Sequence, residues 1–207
     1  MQNNALYAVQ LTEKVNFTNL KPQSILFVGG SRSGKSDFAL NYANTFVGKK
    51  AFIATMQHTF STKDHKIITD KEIDKRIAKH QAQRSNEWFT IDEPFDLEKA
   101  ISHAISENSQ VILVDCITLW LTNLLLLEKN EEEIIIQTEQ LARSIANCPI
   151  PLLFVSNEVG MGVVPAEQNT RLFRDIQGKA NQILASYCQT VLMFSCGIPI
   201  LIKNEIK

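Results

Sequence analysis

An apolar run, Ser24-Ile25-Leu26-Phe27-Val28, leads into Gly29-Gly30-Ser31-Arg32-Ser33-Gly34-Lys35-Ser36. Asp37-Phe38-Ala39-Leu40-Asn41-Tyr42-Ala43 follows, with apolar residues at helical spacing. The central octapeptide fits G-x-x-x-x-G-K-[ST], and strand, glycine loop, helix is the context the pattern requires. Glycines are needed where a backbone approaches phosphate closely or takes positive φ. The N–H groups of such a loop converge on anionic oxygens, and the helix N-terminus adds its partial positive charge. Lys35 is placed to reach the β- and γ-phosphates, and the Ser36 hydroxyl to hold Mg²⁺. A chain built around this unit is constrained to an α/β fold.

The remaining sequence alternates in the same way. Lys50–Thr55, Trp88–Ile91, Val111–Asp115, Pro151–Ser156, Thr190–Ser195 and Ile198–Lys203 read as strands, most of them continuously apolar. Leu97–Ser106, Ile117–Glu128, Glu131–Asn147 and Thr170–Ser186 read as helices, and Asp70–Arg84 as an exposed charged helix. Residues 56–70 read as a polar loop. Buried strands alternating with helices indicate a mostly parallel sheet covered on both faces, the P-loop NTPase (RecA-like) class. Residues 1–23 are polar and irregular, with a short strand suggested near Leu6–Leu11. They read as an N-terminal extension to one catalytic domain spanning residues 24–207.

Composition narrows the function classes. The chain has 207 residues, 44% hydrophobic and 21% charged, with a net charge of −1. That balance provides no bulk attraction to nucleic acid or anionic membrane. No apolar run approaches the roughly 20 residues that span a bilayer. The start, Met1-Gln2-Asn3-Asn4, lacks the basic and apolar regions of a signal peptide, which points to a cytoplasmic protein. Cys116, Cys148, Cys188 and Cys196 show no C-x-x-C pairing and read as reduced thiols.

Three further segments carry chemistry. Asp115 ends a buried strand, where an Mg²⁺-nucleotide site needs a carboxylate; it can bind the ion directly or through water, or cap the next helix. Arg76, His80 and Arg84 stand at i, i+4 and i+8, so they share one helical face. Alone, that segment reads either as a solvated face or as two guanidinium groups flanking a nucleophilic imidazole. Asn157-Glu158-Val159-Gly160-Met161-Gly162-Val163-Val164-Pro165 reads as a shaped loop or an ordinary strand-to-helix connection. The cations after it, Arg171, Arg174 and Lys179, serve phosphates or are simply surface charges.

Taken together, these blocks resemble the bifunctional adenosylcobinamide kinase / adenosylcobinamide-phosphate guanylyltransferase family of cobalamin biosynthesis. The matching residues are G-G-x-R-S-G-K-S at Gly29–Ser36, Ile53-Ala54-Thr55, and the spacing Arg76-Ile77, His80, Arg84, Trp88, Thr90. They continue with Asp115-Cys116-Ile117-Thr118, Asn123-Leu124-Leu125, and the Asn157–Pro165 loop. The last are Arg171, Phe173-Arg174-Asp175, Gly178, Asn181-Gln182, Gly197-Ile198-Pro199 and Lys203. The phosphate loop is common to many families, but the Asn157–Pro165 block with R-x-F-R-D-x-x-G-x-x-N-Q is highly specific.

The resemblance implies two reactions. ATP or GTP phosphorylates the aminopropanol hydroxyl of adenosylcobinamide. A histidine then attacks the α-phosphate of GTP, expels pyrophosphate and passes GMP to the cobinamide phosphate, giving adenosylcobinamide-GDP. It implies that His80 is the guanylylated histidine. Thr55, Met56, Gln57, Gln81, Ala82, Gln83, Arg84, Asp92 and Asp115 match nucleotide-contacting positions, with Ser36 and Asp115 toward Mg²⁺. A homotrimer is implied as well, with Trp120–Leu127 part core and part interface. Departures are a longer segment at residues 58–69 bearing His58 and His65, Asp92 where Glu is frequent, and the 23-residue extension. Rival readings are a P-loop kinase of a nucleoside or sugar, and a non-catalytic nucleotide-binding module.

Overall fold

The structure is a computed structural model and describes residues 24–57, 60–61, 67–68 and 85–205. Strands are β1 Ser24–Gly29, β2 Lys50–Ala54, β3 Phe60–Ser61, β4 Ile67–Ile68, β5 Trp88–Asp92, β6 Val111–Asp115, β7 Leu152–Asn157, β8 Thr190–Ser195 and β9 Ile198–Asn204. Helices are α1 Lys35–Ala43, α2 Leu97–Ser106, α3 Ile117–Leu126, α4 Glu131–Ala146 and α5 Gln168–Tyr187. Seven strands form one sheet in the order β5-β2-β6-β7-β1-β8-β9. All neighbours in it are parallel except β8 and β9, whose two-residue turn returns the chain antiparallel.

Handedness explains how the helices are distributed. The β1-to-β2 connection steps one way across the sheet and puts α1 on one face. The β5-to-β6, β6-to-β7 and β7-to-β8 connections step back the other way, so right-handed crossovers put α2 to α5 on the opposite face. Side chains along each strand alternate between the two cores. Ile25 and Phe27 of β1 join Phe52, Leu113, Val155 and Phe194 against Ala39, Leu40 and Tyr42 of α1. Leu26 and Val28 face Ile53, Val114 and Phe154, packed under the apolar residues of α2, α3, α4 and α5. With both faces covered, the central strands are continuously apolar, as expected for parallel strands.

The element reading holds across the sheet, with local differences. The segment read as a loop at residues 56–70 contains the antiparallel β3–β4 pair; Phe60, Ile67 and Ile68 are strand-favouring residue types in a mostly polar stretch. Helix α5 starts at Gln168, because Glu167 caps it by accepting from the N–H groups of Asn169 and Thr170. The suggested strand near Leu6–Leu11 and the charged helix Asp70–Arg84 lie outside the described residues. Cys116, Cys148 and Cys188 are buried free thiols and Cys196 is an exposed one. Among the described residues, no helix is long and apolar enough to cross a membrane.

Candidate active site at the carboxyl edge of the sheet

The parallel strands all end at one edge, and most of the described candidate residues gather there. Register fixes their lateral order. Asp92, Ala54 and Asp115 stand side by side across β5, β2 and β6, and Asp115 is paired with Val155 of β7. Gly29 pairs with Asn157 two residues further along, so β7 alone separates the Asp115 strand from the glycine-loop strand. The strand order reverses around β1, and such a switch point is where open α/β sheets bind ligands.

The loop is shaped by its two special glycines. A Cβ at Gly29 would stand 2.7 Å from Phe194 O, so the chain enters the turn pressed against β8. Gly34 takes φ 90° and forms the N-cap of α1, where a Cβ would also meet Gly197 Cα at 3.3 Å. Arg32 is left-handed at φ 58°. Inside the turn Ser33 N donates to Gly30 O at 3.2 Å, and outside it Gly197 N donates to Ser33 O at 3.1 Å. The β8–β9 turn therefore buttresses the loop from one side. From the other, Glu158 N donates to Gly29 O at 3.1 Å. No side chain caps α1, so its first N–H groups face outward for an anion. Gly30, Ser31 and Arg32 are exposed and Ser36 is half-buried.

Lys35 is 6% exposed, and its Nζ donates to Gly30 O at 3.0 Å. Burial lowers its pKa, while Cys116 and Asp115 nearby act to raise it. The ammonium is thus held over the loop with few partners of its own, ready to gain from a polyphosphate. Ser33 is 8% exposed and its hydroxyl is buried with no partner among the described residues.

Beside the loop, buried polar side chains hold the strand ends. Thr55 Oγ1 donates to Cys116 O and accepts from Cys116 N, both at 2.8 Å, which fixes the backbone just after Asp115. The Asp115–Cys116 peptide is cis. Asn123, 1% exposed within the apolar α3, donates to Thr55 O at 2.7 Å and to Pro94 O at 3.0 Å. Met56 and Gln57 continue half-buried from β2, Asp92 is exposed and Asp115 half-buried.

A second brace holds β7. Asn157 N donates to Thr118 Oγ1 at 2.8 Å, and Asn157 O accepts from Asn181 Nδ2 at 3.0 Å. Ser156 Oγ donates to Asn181 Oδ1 at 2.6 Å, and Gln177 Nε2 donates to Ser156 Oγ at 2.9 Å. Thr118, Asn123 and Asn181 stand among the family-matching residues without an assigned role, and Gln177 was not singled out in the sequence. The available signal was a polar residue at an apolar-face position of each helix. His80, Gln81, Ala82, Gln83 and Arg84 lie outside the described residues, as do Arg76, His58 and His65.

A glycine loop between an interior strand and its helix, set at a reversal of strand order, defines an α/β P-loop nucleotide-binding protein. The comparisons agree. A KaiC-like protein from Pyrococcus horikoshii shares the fold with a TM-score of 0.50 at 11% identity, over 83% of this chain and 70% of that one. The family described as cobinamide kinase / cobinamide phosphate guanyltransferase matches residues 25–202. The chain is 36% identical over 180 residues to the bifunctional adenosylcobalamin biosynthesis protein CobP of Pseudomonas aeruginosa, covering 87% of this chain and 97% of the relative. It is 34% identical over 194 residues to the bifunctional adenosylcobalamin biosynthesis protein CobU of Escherichia coli, covering 86% and 99%. The chain belongs to the cobinamide kinase / cobinamide phosphate guanyltransferase family.

Proposed function

We propose that this enzyme phosphorylates adenosylcobinamide with ATP or GTP, then transfers GMP from GTP to the product through a guanylyl-histidine at His80. The observation that carries the phosphoryl chemistry is Lys35, buried and poised over a loop whose amides face an open helix start. Family membership supplies the acceptor class.

In the first step the acceptor hydroxyl takes the γ-phosphoryl group and a nucleoside diphosphate leaves. The loop amides and the Lys35 ammonium compensate charge on the transferring oxygens. In the second step a ring nitrogen of His80 attacks the α-phosphorus, and the bond to the departing pyrophosphate breaks. A phosphate oxygen of the phosphorylated acceptor then displaces the histidine, giving adenosylcobinamide-GDP and restoring the imidazole. The nucleotide sits on Gly29–Ser36 in two placements, one presenting the γ- and one the α-phosphorus. Thr55–Gln57, Gln81–Arg84, Asp92 and Asp115 form the rest of its surroundings.

Ser36 and Asp115 offer one hydroxyl and one carboxylate oxygen, a hard donor set that suits Mg²⁺ when phosphate oxygens and water complete its shell. Bound there, the ion would neutralise phosphate charge. The protein works as a cytoplasmic homotrimer, and the exposed aliphatic residues Leu126, Leu127, Ile198 and Ile202 offer apolar surface for subunit contact. Incubation with cobinamide, GTP and Mg²⁺ tests the reading: both phosphorylated and guanylylated corrinoids should accumulate. Nucleotide binding without either product would contradict it.

A further inference from the structure

Three cations of α5 were equivalent in sequence, and the structure separates them. Arg171 Nη1 donates to Pro165 O at 3.0 Å and also to Ala166 O, so its charge holds the end of the 158–166 loop. Lys179 is exposed. Arg174 differs from both: it is half-buried, and its Nη1 is buried with no acceptor among the described residues.

Arg171, Arg174, Gln177 and Asn181 follow one another by three or four residues, so they form one helical stripe. The outer members of that stripe grip the two ends of a single segment. Arg171 holds Pro165 and Ala166, while Gln177 and Asn181 hold Ser156 and Asn157. Arg174 lies between them on that stripe, whose other members hold both ends of the span from β7 to α5. That span is tied to the glycine loop through Glu158 N and Gly29 O. The carboxylates of that span accept from local backbone: Glu158 from Gly160 N, and Glu167 from Asn169 N and Thr170 N. A buried guanidinium N–H without an acceptor is costly, its planar fork matches carboxylate and phosphate oxygens, and the adjoining glycine loop is built for phosphate.

We infer that Arg174 binds a phosphate group at a subsite beside the glycine loop. Two sources carry that chemistry, the phosphate monoester of the acceptor and the phosphates of the nucleotide. Naming the acceptor rests on the function proposed above; the anion site does not.

The test compares Arg174→Gln and Arg174→Lys with the natural enzyme in both half-reactions. The Gln variant should raise KM about ten-fold for one phosphate-bearing substrate, while KM for unphosphorylated cobinamide stays within two-fold. The Lys variant should recover part of the loss. A rise for cobinamide phosphate assigns the subsite to the acceptor, and a rise for GTP assigns it to the nucleotide. A second measurement needs no corrinoid. In Lys35→Ala protein, inorganic phosphate should still raise the melting temperature, and adding Arg174→Gln should abolish that rise. Unchanged KM values throughout, phosphate stabilisation that persists without Arg174, or a uniform loss of stability and activity not relieved by lysine would each overturn the assignment.

Discussion

Lys35 is where burial and charge oppose each other most directly. Its ammonium is kept at the cost of desolvation, which lowers its pKa, and a bound polyphosphate would relieve that cost. Lys35→Ala should therefore reduce kinase activity and guanylylation together, each by at least about 10². Loss of kinase activity with guanylylation untouched would show that the two reactions do not share the loop. The buried thiols set a separate pH dependence. Burial pushes Cys116 and Cys188 from 9.0 up to about 12 and raises Tyr42 as well. The folded chain thus keeps these protons after the unfolded chain has lost them, so stability is full below about pH 8.5 and declines as pH rises further. Lys35 acts with the opposite sign between its lowered pKa and 10.5, where the unfolded chain holds the extra proton. Burial raises Cys148 too, so three thiols and a phenol oppose one ammonium, and the urea midpoint should fall between about pH 8 and 10.5. Cys188→Ala should flatten that fall; parallel pH curves for the two proteins would contradict the assignment. Asn123→Ala leaves Thr55 O and Pro94 O without their buried donor. It should cost about 1–3 kcal/mol in chemical denaturation, against nearly nothing if the amide were idle.

The glycine loop acts as an element because two others brace it, the β8–β9 turn through Gly197 and Ser33 and the end of β7 through Glu158 and Gly29. Cys196, next to Gly197, is exposed, whereas the other three thiols are buried. Native protein should accept one maleimide, at Cys196, and nucleotide should slow the labelling; labelling of two or more thiols would contradict this packing. Much of the frame was legible in sequence, because strands buried on both faces read as apolar runs and the glycine loop names its own flanks. Three things were not. The neighbours of β1 are β7 and β8, and this order follows from crossover hand rather than from any local pattern. The braces at Thr118, Asn123 and Gln177 are polar side chains on apolar helix faces, and their partners come from elsewhere in the chain. The sequence could not separate Arg174 from Arg171 and Lys179 either, because the difference lies in which neighbours already accept their protons.

At the scale of the whole molecule, the parallel sheet collects distant residues at one edge. Asp92, Thr55, Asp115, the glycine loop and the 158–166 loop share it because every parallel strand ends there. The transferase half of the proposal adds His80 to that assembly. Attack requires the neutral imidazole, so guanylylation should decline below roughly pH 6–6.5, as the ring takes up a proton. A rate flat down to pH 5 would argue for another nucleophile. The most direct measurement is incubation of the full chain with α-³²P-GTP and Mg²⁺, followed by tests of the labelled protein. The account predicts acid-labile, base-stable label that is absent from His80→Ala and is chased onto cobinamide phosphate. Label that survives in His80→Ala, or no protein-bound label while guanylylated corrinoid still forms, would contradict it.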